Sequence, residues 1–131
     1  MNSARILDDY GRALMRLDDA LQNATDNEVY RAGCIQYFEF CFELAWKSVK
    51  CVAEQSGAVE SVSPRACIKY AFSAGWIGDE EVWLAMLAAR NLMTHTYDIL
   101  NAGDVVASLP RFLVALQQLH AALYALTWQD H

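Results

Sequence analysis

The sequence predicts an all-α fold: an antiparallel up-and-down bundle of four long helices with one extra short helix. Three observations lead there. Apolar residues recur at steps of three and four along nearly the whole chain. No stretch alternates apolar and polar residues as a half-buried strand does. Only 6 Gly and 2 Pro punctuate 131 residues, too few for a turn-rich β-sandwich or for linkers. A chain of this length folds to roughly 7,000 Å² from roughly 21,000 Å² unfolded. One domain over residues 1–131 with a core of its own is therefore expected.

The first helix covers roughly residues 3–24, with Leu7, Tyr10, Leu14, Leu17, Leu21 and Ala24 on one stripe. Thr25 and Glu28 fit a capping box that opens the second. There, Ile35, Phe38, Phe42, Ala45, Val49 and Val52 form one stripe, and Cys34, Tyr37, Cys41 and Leu44 a second beside it. So wide an apolar face suits a helix with several neighbours. Gly57 is its stop. Ser63-Pro64 reads as N-cap and first turn of a short third helix that ends near Gly75. Asp79, Glu80 and Glu81 suit the positive end of a fourth helix, which runs through Trp83, Leu87, Arg90, Thr94 and Tyr97. The last carries Val105, Leu109, Phe112, Leu116, Leu119, Leu123 and Leu126, and Pro110 either kinks it or marks its start.

Charge and cysteine usage narrow the function. The formal net charge is −6, which disfavours long-range attraction to a DNA duplex or an anionic membrane. No window approaches a membrane span, and the first ten residues lack an apolar signal core. Cys34, Cys41, Cys51 and Cys67 form no CxxC pair. Reduced, buried thiols in a cytoplasmic protein are the expectation. Glu39 and Glu43 stand four apart, but the paired Glu-x-x-His motifs of a di-iron bundle are missing, so no metal and no cofactor is expected. Glu43 and Lys47 read more simply as an i, i+4 ion pair.

One segment departs from the apolar pattern. Residues 90–98 place Arg90, Asn91, Thr94, His95, Thr96, Tyr97 and Asp98 at the end of the fourth helix. Arg90 and Tyr97 share a face there, whereas Arg90 and His95 lie about 140° apart. A distorted helix end, or a cleft shared with a second chain, would bring the last two together. One reading is a structural polar layer in which Asn91 and His95 bond across the bundle. The other is chemical: Arg90 grips a phosphate with its forked donors, and His95 takes a proton from a ribose 2′-hydroxyl. Arg65 and Lys69 would add cations if their helix adjoins the fourth.

Arg90-x4-His95-x-Tyr97 resembles the RX4HXY motif of HEPN domains that pair with minimal nucleotidyltransferases. Phe38-Glu39, Phe42-Glu43-Leu44-Ala45-Trp46-Lys47, Ser63-Pro64-Arg65, Ala71-Phe72 and Trp83 extend the likeness to the nucleotidyltransferase substrate-binding protein family, over roughly residues 5–126. The resemblance implies a dimerising helical bundle and a cognate minimal nucleotidyltransferase as partner. It implies one of two roles. In the first, Arg90 and His95 are the catalytic pair of a metal-independent RNase toxin, and the partner, as antitoxin, adenylylates Tyr97; Asn91, Thr94, Asp98 and Glu43 support the site. In the second, the chain is a non-catalytic subunit that binds nucleotide or substrate for the transferase. A homodimer is expected as well, because Trp83, Met86, Leu87 and Met93 give the fourth helix more apolar surface than one bundle face needs.

Overall fold

The structure is a computed structural model that describes residues 3–23, 27–58, 63–95 and 99–129. Five helices follow in order: α1 (Ser3–Gln22), α2 (Glu28–Gln55), α3 (Pro64–Ser73), α4 (Glu80–His95) and α5 (Ile99–Gln129). No strand occurs among the described residues. The four long helices and the short α3 are those the periodicity predicts.

Long-range contacts set the directions. Ser3 Oγ donates to Gln55 Oε1, so the start of α1 meets the end of α2 and the two run antiparallel. Tyr10 Oη donates to the Leu116 carbonyl and His120 Nε2 to the Leu7 carbonyl, which makes α5 antiparallel to α1. The Phe38 and Phe112 rings lie 5.5 Å apart, between α2 and α5, which run in parallel. α4 ends where α5 begins, so it runs toward the N-terminal end of α2. α1 touches α2 and α5, α4 touches α2, α3 and α5, and α1 and α4 stand diagonally opposite with no contact among the described residues.

Local chemistry sets the helix ends. Asn27 caps α2, its side chain accepting from the Tyr30 N–H at 2.7 Å. The expected capping box is thus replaced by an Asn cap, and Thr25 lies outside the described residues. Ser63 caps α3 as predicted, accepting from Ala66 N–H, with Pro64 in the first turn. Asp79 Oδ1 accepts from Val82 N–H at the start of α4. Gly57 and Gly75 sit at φ 90° and 80°, where a side chain is strained, and both follow helix ends. α5 begins at Ile99, so Pro110 is in its interior and does not mark its start.

The predicted stripes make the core. Tyr10, Leu17, Phe38, Phe42, Leu109, Leu116, Leu119 and Leu123 are fully buried. Tyr37, from the second stripe of α2, is exposed and packs edge-on against Phe40. Trp83, Met86, Leu87 and Met93 are all buried within the chain, so they are no surplus face for a second copy. They fill the space where α4 meets α2, α3 and α5. The four cysteines are buried, and burial pushes Cys41 up to about 12 and Cys67 up to about 11. No helix among the described residues is long and apolar enough to cross a membrane.

Ser48 is fully buried on α2, and its hydroxyl has no hydrogen-bond partner among the described residues. An unsatisfied buried hydroxyl costs about 1–3 kcal/mol, and Ala is a better helix former than Ser. Ser48→Ala is expected to stabilise the chain by about 1 kcal/mol, raising Tm by about 4 °C for a domain of this size. Thermal denaturation followed by circular dichroism reads this directly, and a fall in Tm would mean the hydroxyl is satisfied in solution.

Candidate functional site

The polar chemistry gathers where the late turns of α4 cross the middle of α2. Arg90 is the anchor. Its Nε donates to Glu43 Oε1 at 2.8 Å, and its Nη2 lies 2.5 Å from the same oxygen. Its Nη1 donates to Asn91 Oδ1 at 2.9 Å. Glu43 is held from its own helix too. Trp46 Nε1 donates to Oε2 at 2.9 Å, and Lys47 Nζ stands 3.9 Å from that oxygen while lying over the Trp46 ring. The expected Glu43–Lys47 pair is therefore present but long. The short contacts of Glu43 go to Arg90, 47 residues away, and to Trp46.

This arrangement fixes the guanidinium without exhausting it. Arginine carries five N–H donors. With Nε and Nη2 closed on Glu43 and Nη1 on Asn91, Nη1 and Nη2 each keep one donor among the described residues. The Arg90 side chain is 24% exposed, so an anion can reach them. A carboxylate that pins one edge of the fork leaves the rest of a planar, permanently charged group aimed in one direction.

Glu39 completes the cluster. It stands one turn before Glu43 on α2, about 40° away around the helix, and is half-buried. Burial raises its carboxyl above the usual range; Arg90 draws it back down and Glu43 pushes it up again.

Of the residues proposed from sequence, Arg90, Asn91 and Glu43 come together. Asn91 is exposed and accepts from Arg90, so it does not bond across the bundle. His95 is the last residue of α4 and Thr94 precedes it; their side chains lie outside the described residues, as do Tyr97 and Asp98 entirely. The proposed extra cations do not form a free basic patch: Lys69 pairs with Glu80 at 3.7 Å and Arg90 with Glu43, while Arg65 is exposed. Sequence reasoning gave no role to Trp46 or Glu39. The signal was there in the spacing, since positions 39, 43 and 46 share one face of α2. A large groove of about 900 Å³ between α1 and α5, beside His120 and Tyr124, contains none of these residues.

Residues 5–125 match the family described as nucleotidyltransferase substrate binding protein like. The chain belongs to that family. Among its relatives, a Haemophilus influenzae protein described as a probable ribonuclease HepT is 34% identical over 87 residues. That stretch is 63% of this chain and 60% of the relative, so the chain spans less than two thirds of that protein's length. Three solved structures share the fold of this family member. A Thermus thermophilus protein aligns with a TM-score of 0.80 at 28% identity, over 87% of this chain and 98% of its own. A Haemophilus influenzae protein, reported as revealing the fold of a substrate binding domain of a nucleotidyltransferase, aligns at 0.79 and 27%, over 90% and 98%. A mutant of the toxin-antitoxin MntA-HpeT aligns at 0.78 over 94% of this chain and 97% of its own, at 16% identity, and speaks for the fold alone.

Proposed function

We propose that this chain is the helical partner subunit of a two-component minimal nucleotidyltransferase system, and that it is a HEPN-type, metal-independent ribonuclease acting through Arg90 and His95. The observation that carries the reading is the Arg90 guanidinium, pinned by Glu43 and Asn91 with donors left on Nη1 and Nη2, one and a half turns before His95 on the same helix. The description of the Haemophilus relative as a probable ribonuclease HepT points the same way.

In the proposed reaction Arg90 binds the scissile phosphate. His95 takes the 2′-hydroxyl proton as the 2′-oxygen attacks phosphorus, and Arg90 stabilises the charge that builds on the phosphorane. The 5′-oxygen leaves, giving a 2′,3′-cyclic phosphate and a 5′-hydroxyl. The partner transferase acts as antitoxin by adenylylating Tyr97. The active form is a homodimer in the cytoplasm, in which one chain's Arg90 approaches the other's His95. Exposed Phe40 on α2 and Leu92 on α4, both close to the Arg90 cluster in sequence, supply apolar surface for that contact.

The experiment is cleavage of a tRNA and mRNA mixture by the purified chain in EDTA, beside His95→Ala. Cleavage by the unsubstituted chain only, leaving 2′,3′-cyclic phosphate ends, is the expected result. A second reading has an observation of its own: Arg90 is already matched by a carboxylate, in a chain of net charge −6. That balance suits a non-catalytic subunit that binds nucleotide or substrate for the transferase. No cleavage by a chain whose intact mass shows unmodified Tyr97 decides for it.

A further inference from the structure

The ribonuclease reading leaves one proton unassigned. His95 removes a proton from the 2′-hydroxyl, but the departing 5′-oxygen must gain one, and an alkoxide is a poor leaving group without a donor beside it. Arginine does not deprotonate in proteins, so Arg90 cannot supply the proton. Glu43 cannot either. Its Oε1 accepts from Nε of Arg90 and lies against Nη2, and its Oε2 accepts from Trp46, so both oxygens are occupied away from the leaving group.

Glu39 is in a different position. It shares a face of α2 with Glu43 and lies within electrostatic reach of Arg90. Yet it makes no hydrogen bond or ion pair with any described residue. The direction of α4 matters as well. From Arg90 to His95 the helix advances about 7.5 Å toward the N-terminal end of α2. From Glu43 back to Glu39, α2 covers about 6 Å in that same direction. Glu39 is therefore displaced from Glu43 in the same direction in which α4 runs from Arg90 to His95.

We propose that Glu39 is the proton donor to the leaving 5′-oxygen, an inference that rests on the ribonuclease reading. The balance of atoms closes without a further reactant. The P–O2′ bond forms as His95 takes the 2′-proton, and the P–O5′ bond breaks as the Glu39 carboxyl gives its proton to O5′. Water then restores the proton on Glu39 and removes the one on His95. Two carboxylates one turn apart thus divide the work by environment. Glu43, closed on Arg90 and Trp46, positions the guanidinium. Glu39, half-buried and unpaired among the described residues, keeps its proton to higher pH, because burial outweighs the opposing pull of Arg90 and Glu43 adds to it. Among the described residues, Arg90 from α4 and Glu43 from α2 are the charged groups that act on it.

The test compares two substrates cleaved by the full chain in EDTA. One is an oligoribonucleotide, whose 5′-alkoxide needs protonation. The other is a ribonucleoside 3′-(p-nitrophenyl phosphate), whose phenolate leaves without it. Glu39→Gln is expected to slow the oligoribonucleotide by about 10²–10⁴-fold and the p-nitrophenyl ester by only a few-fold. One of the two limbs of the wild-type pH profile should vanish, and Glu39→Asp should recover part of the rate. Equal loss on both substrates would overturn the proposal and leave Glu39 a purely electrostatic or structural part of the cluster. No loss on either, with His95→Ala inactive, would also overturn it while the ribonuclease reading stands. If the unsubstituted chain cleaves neither substrate, the ribonuclease reading itself fails and Glu39 has no leaving group to protonate. A melting curve for each variant excludes misfolding as the cause of any loss.

Discussion

Arg90→Ala is expected to reduce RNA cleavage by about 10²–10³-fold, the usual loss when one oriented donor group is withdrawn from a developing oxyanion. Folding should survive. The Arg90–Glu43 pair is partly exposed, at 24% and 30% of the two side chains, and pairs of that kind contribute about 1 kcal/mol. Glu43 also keeps Trp46 and the more distant Lys47 when Arg90 is gone. Arg90→Lys sharpens the point. It restores the charge but not the fork. An ammonium that closes on the Glu43 carboxylate has no planar edge left to present to a phosphate, and it is too compact to reach Asn91 as well. Only partial recovery is therefore expected, within about tenfold of Arg90→Ala by that argument. Full recovery in Arg90→Lys would mean that charge alone matters, and the guanidinium geometry would lose its role. Steady-state cleavage assays on the three proteins, with a melting curve for each, make the measurement.

Much of the fold was legible because helix periodicity is local. Leu7, Tyr10, Leu14 and Leu17 sit on one stripe whatever α1 packs against, and all four are buried. Ser63-Pro64 was readable for the same reason, since a cap depends on residues three positions away. The errors fall where a competing local choice or a distant contact decides. Asn27 takes the cap that a Thr25-based box was expected to take, nearer to the helix. α5 starts at Ile99, ahead of Val105, where the apolar repeat becomes visible. Trp83, Met86, Leu87 and Met93 looked like surplus because one helix face needs fewer apolar residues. The sequence does not show that α4 has three neighbours to satisfy.

The site divides along the same line. The motif residues Arg90 and His95, and the attached Asn91 and Glu43, could be read as polar positions in an apolar pattern. Their partners could not. An i, i+4 rule proposes Lys47 for Glu43, whereas the crossing of α2 and α4 delivers Arg90 at 2.8 Å and leaves Lys47 at 3.9 Å. Trp46 and Glu39 were visible as neighbours on one face but gained meaning only when Arg90 arrived beside them. Chemistry that depends on two helices meeting is written in the packing, and periodicity alone does not encode it.

That meeting of helices depends on Phe42, the residue before Glu43. It is fully buried, with its ring 6.1 Å from Phe38 and 6.3 Å from Trp83 of α4. Phe42→Ala is expected to cost about 3–5 kcal/mol, from lost transfer energy and from a cavity that the surrounding rings cannot close. For a chain of this size that lowers Tm by about 11–18 °C. It removes a large share of the roughly 5–15 kcal/mol that a typical domain has. Phe40→Ala deletes the same atoms two positions earlier, where half the side chain is exposed, and should cost about 0.5 kcal/mol in an isolated chain. The comparison has a second use. If the homodimer covers the outer face of α2, Phe40→Ala will lower Tm more at high protein concentration than at low, because association stabilises by mass action. Phe42→Ala will be equally damaging at both. A Phe40→Ala penalty independent of concentration and as large as that of Phe42→Ala would place Phe40 in the core of the monomer, against its exposure. A small penalty at every concentration would take α2's outer face out of the dimer and leave Leu92 on α4 as the apolar contact to test next.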